Sequence, residues 1–196
     1  MTRVSITELV EGAKKDKVVS FPTDTVPALA ALPENAALIF TVKQRSMNKP
    51  LILMAGDSEQ IWDFVEGSQQ EYEIWQEIAG KYWGGALTLV LPASAKVPPS
   101  MNPHDPTTIG IRVPQSDIAR TILAQTGPLA TTSANLSGQP PLQTMVEIEA
   151  QFPDILTLAT TEYENQTPAI GIPSTVAKWN EGEWQILRQG AVKLDM

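Results

Sequence analysis

Lys43 and Arg45, separated only by Gln44, form the first pair in the chain able to hold an anion. Arginine offers a planar fork of donors and lysine a mobile point charge, and Lys49 follows close by. A plainer duty suits the pair equally: cations at a helix end satisfy its last carbonyls and its dipole. Four further clusters carry polar chemistry. Pro22-Thr23-Asp24-Thr25 places two hydroxyls and a carboxylate in a tight turn. Such a turn can hold an amino or hydroxyl group, lend Asp24 to Mg²⁺, or serve only as an Asx-type turn or helix cap. Arg112 interrupts an apolar run in Gly110-Ile111-Arg112-Val113-Pro114. A buried arginine there must meet either a carboxylate of the fold or an anionic ligand. The run from Thr131 through Ser133, Asn135 and Ser137 to Gly138 can present hydroxyls, an amide and backbone N–H groups to a phosphate or a base, or make an ordinary turn. Ser174-Thr175, with Arg188-Gln189-Gly190 from the next strand, can close one side of a site.

Other chemistries are excluded. The chain has no cysteine, which rules out disulfides and thiolate metal sites and makes a reducing compartment, the cytoplasm, the easier home. His104 is the only histidine and sits in a proline-rich loop with no acid or nucleophile arranged beside it. It reads as a surface residue, and neither a Ser–His–Asp triad nor a multi-histidine metal site is available. Neither a Walker A loop nor a GxGxxG run is present. Net charge is −8, from 14 Lys and Arg against 22 Asp and Glu, so a surface coated in positive charge for nucleic acid is excluded while a local basic groove is not. The stretch from Met1 to Lys17 already carries charges and reads as neither signal peptide nor membrane span, and no later apolar run is long enough to cross a bilayer.

The elements that must position these clusters can be read from pattern. Ser5 and Glu8 make a capping box that opens a helix to about Lys15. Val18–Phe21 is a strand stopped by Pro22, and 23–33, with two prolines, reads as loop. Residues 36–43 are helical and 51–55 a buried strand. Helices are expected near 58–65 and over 69–82, the latter with Tyr72, Trp75, Ile78, Ala79 and Tyr82 as a core-facing stripe. Strands follow at 87–91, 109–113, 129–132 and 155–159, with a five-proline loop over 92–106. Ser116 or Asp117 caps one helix, and Thr144 with Glu147 opens another. Residues 174–188 form a hairpin turning at Asn180-Glu181-Gly182. Strand and helix alternate, which predicts an α/β fold with one main sheet, mixed because of the hairpin. With 196 residues, 42% hydrophobic and 18% charged, and no linker or repeat, one domain over 1–196 is expected.

Taken in order, the clusters resemble the YrdC-type threonylcarbamoyl-AMP synthase family, also called TsaC. The matching segments are FPTDTV at 21–26, KQR at 43–45 with PL at 50–51, YWGGALTLVL at 82–91, IGIRVP at 109–114, TTSANLSG at 131–138, STV at 174–176 and ILRQGAV at 186–192. They cover nearly the whole chain, and the length resembles the family's short form. The resemblance implies a twisted mixed β-sheet flanked by helices, the YrdC-like fold, with a concave positive face. It implies a nucleotidyltransferase that makes threonylcarbamoyl-adenylate and pyrophosphate from L-threonine, bicarbonate and ATP, for N6-threonylcarbamoyladenosine in tRNA. ATP is then a substrate with Mg²⁺, with no prosthetic group and no strong protein set of metal ligands. Lys43 and Arg45 are the implied catalytic phosphate holders. Ser133, Asn135, Ser174 and Arg188 bind the nucleotide with them, and Thr23, Thr25, Arg112 and Ser174 lie near the threonine. The alternative within the family is a non-catalytic protein that binds tRNA, double-stranded RNA or the ribosome.

Four positions depart from the family pattern. Pro27-Ala28 stands where Tyr-Gly is usual, Gly84-Gly85-Ala86 where Pro-Gly-Pro is usual, Ser46 where proline follows the basic pair, and Ala177-Lys178 where Val-Asp follows Ser-Thr-Val. The first touches the expected amino-acid pocket, because proline fixes φ and removes a backbone donor.

Overall fold

Serine or threonine followed three residues later by glutamate opens three helices: Ser5 and Glu8, Ser68 and Glu71, Thr144 and Glu147 each exchange both bonds of a capping box. The computed structural model describes residues 2–195. In chain order it contains β1 (Arg3–Val4), α1 (Ile6–Lys14), β2 (Val19–Phe21), β3 (Ala28–Ala31), α2 (Ala36–Lys43), β4 (Ile52–Met54) and α3 (Gln69–Tyr82). Then come β5 (Leu87–Pro92), β6 (Thr108–Arg112), α4 (Asp117–Thr126), β7 (Leu129–Ser133), α5 (Met145–Gln151), β8 (Leu156–Leu158), β9 (Thr175–Asn180) and β10 (Glu183–Arg188). Ser116, not Asp117, caps α4, its side chain accepting from the Ala119 N–H.

The strands form one ten-stranded sheet in the order β1-β8-β2-β3-β7-β4-β6-β5-β9-β10. It is mixed, as the hairpin predicts. β4 with β6 and β5 with β9 run parallel, while β2 with β3, β3 with β7 and β9 with β10 are antiparallel. Two expectations fail. The 23–33 segment is not all loop, since β3 occupies Ala28–Ala31 between β2 and β7. Alanine has little preference for strands, and its place here is decided by burial: all four residues of β3 are buried. The helix expected near 58–65 is absent apart from a short 3₁₀ turn, Trp62–Phe64. The backbone there is claimed by tertiary partners: Val65 bridges to Ala93, the Glu66 N–H donates to Pro92 O, and the Tyr72 hydroxyl donates to Val65 O at 2.7 Å.

Alternation along the strands sends their side chains to two faces. On one face Leu29, Leu53, Leu89, Ile111 and Ala177 pack with Ile39 and Phe40 of α2, Trp75 and Ala79 of α3, and Met145 and Ile148 of α5. On the other, Phe21, Ala28, Ala30, Met54 and Leu129 pack with Leu9 and Val10 of α1 and Ile118 and Ile122 of α4. Helices α1 and α4 pack against each other and cover only part of this second face. The part they leave open becomes the cavity described next.

Candidate functional site

The open part of the α1/α4 face holds a cavity of about 520 Å³, within the usual range for a small-ligand site. Its floor is the alternate set of strand residues: Ile52 and Met54, Gly110 and Arg112, Thr88 and Val90, Val176 and Lys178, Thr131 and Ser133. Arg45, Lys49, Arg112, Lys178 and Arg188 line it against a single carboxylate, Asp105. A chain of net charge −8 thus gathers five of its 14 Lys and Arg around one cavity, the electrostatic footprint of an anionic ligand.

The basic pair is split by its own linker. Helix α2 ends with Gln44 in the left-handed region, φ 50°, and the chain reverses as the Arg45 N–H reaches back to Phe40 O at 2.9 Å. Arg45 therefore turns to the cavity. Its Nε donates to Lys49 O at 3.1 Å and Nη2 to Pro50 O at 3.0 Å, which folds the 45–50 loop and leaves Nη1 free among the described residues. Lys43 turns the other way. Its side chain is fully buried, does not line the cavity, and donates to Ser133 O and, at 3.2 Å, to Asn135 Oδ1. Burial, then the cations Arg45 and Lys49, pull its pKa down to about 7. The phosphate-holding position expected of Lys43 thus lies one layer behind the wall.

Ser133 and Asn135 follow β7 in a loop held from several sides. Asn135 Oδ1 also accepts from the Ser133 hydroxyl at 2.6 Å, and Asn135 Nδ2 donates to Leu136 O and Gln139 O. The Ala134 N–H donates to Pro27 O at 2.9 Å. Of the two expected nucleotide contacts here, Ser133 lines the cavity and Asn135 is buried behind it.

Arg112, Asp24, Thr25 and Thr23 form a chain whose protons have one consistent direction. Arg112 Nη2 donates to Asp24 Oδ1 at 2.8 Å and Nη1 to Thr25 Oγ1 at 2.8 Å. The Thr23 hydroxyl spends its proton on Val26 O at 2.7 Å. The 3.1 Å contact between the two threonine hydroxyls is therefore donated by Thr25. Thr25, on the cavity wall, is left with a lone pair to offer and no proton, so it can accept from an amine or hydroxyl. Of the two partners open to a buried arginine here, a carboxylate of the fold, Asp24, takes one end of it. Arg112 Nε stays buried without a partner while the residue lines the cavity. The backbone of this turn is strapped by the segment before β9, through Ile170 N–H to Asp24 O and Gly171 N–H to Thr25 O.

The last cluster assembles as expected. Arg188 Nε and Nη2 both donate to Ser174 O, at 3.1 and 2.8 Å, and Nη2 also reaches Ser174 Oγ at 3.3 Å. Thr88 shares a 2.8 Å bond with that serine hydroxyl. Thr175 Oγ1 donates to Val192 O and accepts from the Gly190 and Val192 N–H groups, pinning the chain after β10 to the start of β9. Gly190 is needed for this approach, since a Cβ there would stand 2.3 Å from Pro173 O.

His104 is exposed, as expected, yet it also lines the cavity rim beside Asp105. Thr88 and Lys178 escaped sequence reasoning as wall residues, although strand alternation carries the signal: Thr88 with Val90, and Lys178 with Ser174 and Val176. Pro27 is tolerated because it precedes β3, where no ladder N–H is required, and it keeps its carbonyl bond to Ala134.

Comparison with known proteins places this geometry. The family model Sua5, YciO and YrdC, described as telomere recombination, matches residues 11–190. The threonylcarbamoyl-AMP synthase of Vibrio campbellii is 31% identical over 187 residues, 93% of this chain and 97% of that protein. A solved double variant of P. abyssi Sua5 superposes with TM-score 0.85 and 30% identity, over 97% of this chain and 57% of that one. P. abyssi Sua5 complexed with L-threonine gives TM-score 0.81 and 29% identity, over 94% of this chain and 54% of that one. The chain thus spans a little over half the length of those two relatives. By these matches over nearly all of its length, the chain belongs to the Sua5/YciO/YrdC family.

Proposed function

We propose that the chain is a threonylcarbamoyl-AMP synthase, a nucleotidyltransferase that joins L-threonine, bicarbonate and ATP and releases pyrophosphate. The observation that carries this reading is the placing of five cations and the proton-accepting Thr25 hydroxyl on the wall of one cavity. The V. campbellii relative bears this name, and the P. abyssi relative binds L-threonine.

In this reading the amino acid lies against Thr25, Arg112 and Ser174. Thr23 stands behind Thr25 and fixes its proton direction. The threonine amine donates to Thr25 Oγ1, and the carboxylate meets the unpartnered Arg112 Nε edge. The nucleotide lies against Arg45, Ser133, Ser174 and Arg188, with Asn135 and Lys43 supporting the loop that bears Ser133. The amine and bicarbonate give a carbamate with loss of water. A carbamate oxygen then attacks the α-phosphorus, and pyrophosphate leaves. No protein nucleophile takes part. The side chains act by holding the reactants in line and neutralising phosphate charge, the largest effects open to such a site. In this reading Mg²⁺ enters with the substrate, held by ATP phosphates. The product serves tRNA modification in the cytoplasm. The non-catalytic RNA-binding alternative is not favoured, because the relatives are named as synthases.

The test is ATP–pyrophosphate exchange that requires both L-threonine and bicarbonate. A folded chain without exchange above background would refute the reading.

A further inference from the structure

Lys43 has an environment that the phosphate implied for it by the family resemblance does not account for. It closes helix α2 with its side chain fully buried, and the two groups it bonds, Ser133 O and Asn135 Oδ1, are both neutral. Its own carbonyl accepts from the Ser137 N–H at 3.2 Å, so one residue grips the 133–137 loop at two points. Among the described residues, none supplies a counter-charge. Arg45 and Lys49, from the chain that follows α2, are cations that oppose its protonation. Strand β3 and the turn Pro99–Met101, both packed on α2, bring no titratable side chain. Glu34 belongs to the turn at the opposite end of the eight-residue helix.

Two acceptors suit an amine with two protons. A third proton on Nζ has no partner among the described residues and adds charge beside two cations. An anion in the cavity, on the far side of the Ser133 loop, reverses that balance: it neutralises Arg45 and Lys49 and attracts the third proton.

We propose that Lys43 is a positioning residue that holds the Ser133–Asn135 loop from behind, without touching the ligand, and takes up a proton when a polyphosphate enters the cavity. Nucleotide binding is then linked to protonation near neutral pH, and product release to its loss. Burial, then the neighbouring cations Arg45 and Lys49, work in the same direction on the Lys43 amine. The proposal rests on the cavity accepting the phosphates of a nucleotide, and its test separates that premise from the linkage.

The experiment follows the Lys43 ¹³Cε shift through a pH titration of the intact chain, alone, with ATP, and with inorganic triphosphate. The expected midpoint lies near neutrality in the free chain and rises by about one unit or more with either anion. A shift with triphosphate but not ATP would leave the linkage standing and remove the nucleotide reading. A midpoint in the ordinary lysine range, or one that neither anion moves, overturns the linkage. Positioning is read separately with adenosine, which has no phosphate. Lys43→Met, which keeps the length and loses the donors, is expected to bind adenosine about tenfold more weakly, equivalent to roughly 1.4 kcal/mol. Lys43→Arg, which keeps donors and charge, should recover part of that affinity with no proton uptake. Adenosine affinity equal in the parent and in Lys43→Met would overturn the positioning role. If Lys43→Met is unfolded by circular dichroism, Lys43→Gln, which keeps one shorter donor, takes its place, and adenosine affinity equal to the parent's would overturn the positioning role.

Discussion

Arg112 Nη2 stands 2.8 Å from Asp24 Oδ1, and the two side chains keep only 5% and 13% of their exposure. The pair joins β6 to the turn after β2, residues far apart in sequence, and orients the guanidinium before any ligand arrives. Burial works against the charge on Arg112 and Asp24 works for it. Removing either partner leaves the other as an uncompensated charge in a dry place.

Asp24→Ala is accordingly expected to destabilise the chain by about 3–5 kcal/mol, the range for a broken buried pair. The urea unfolding midpoint measures this. Asp24→Asn, which still accepts a hydrogen bond, should lose less. A midpoint for Asp24→Ala equal to the parent would mean that Arg112 finds water or another partner.

Thr25→Val keeps the shape and removes the hydroxyl that accepts from Arg112 and donates to Thr23. It should cost about 1–3 kcal/mol in stability. In exchange kinetics the KM for threonine should rise about tenfold or more, while the KM for ATP stays within about twofold. An equal rise in both would contradict the placing of the amino acid at Thr25.

Arg45→Lys keeps the charge and loses the fork that grips Lys49 O and Pro50 O. The KM for ATP should rise about tenfold with little effect on threonine. Sensitivity to salt should be unchanged, because the charge is. Full ATP affinity in the variant would show that the fork is dispensable.

Gly190→Ala puts a methyl group 2.3 Å from Pro173 O and 2.5 Å from Ser174 O. Backbone cannot yield as a flexible side chain can, and about 1–3 kcal/mol of destabilisation is expected. Hydrogen exchange should locate it. The Gly190 and Val192 amides, both held by Thr175, should lose protection before the sheet does.

Stability should also respond to pH through Lys43. Its folded pKa, about 7, lies below the unfolded value of 10.5. Between those values the unfolded chain binds more protons, so this residue makes stability rise with pH, and below about pH 7 its penalty is present in full. Urea midpoints from pH 6 to 10 should therefore rise less steeply, or fall more, in Lys43→Met than in the parent. Parallel profiles would place the Lys43 amine at an ordinary pKa.

Much of this was legible beforehand because local chemistry and tertiary need agreed. The capping boxes at Ser5 and Thr144, the hairpin, and the meeting of Ser174 with Arg188 follow from residue types and spacing. What the sequence did not disclose was decided by neighbours. β3 is made of alanine-rich chain between two prolines and is a strand only because β2 and β7 flank it. The 58–65 segment reads as helix, yet its Val65 carbonyl is taken by the Tyr72 hydroxyl and its Phe64 carbonyl by the Ser94 N–H just past β5. Lys43 and Arg45 look like one clamp until Gln44 adopts its left-handed turn and sends them to different layers. Arg112 with Asp24 is a long-range pairing that no local pattern encodes.

The sheet order bears on how the chain is made. β5 lies between β6 and β9, with Leu87 beside Thr175, so its neighbour on one side is synthesised more than eighty residues later. Until β9 and β10 leave the ribosome, the Leu87–Leu91 strand has a bare apolar edge, a template for mispairing with other nascent chains. The same delay withholds Ser174, Lys178 and Arg188, so a growing chain cannot form the cavity early and use a ligand to protect itself.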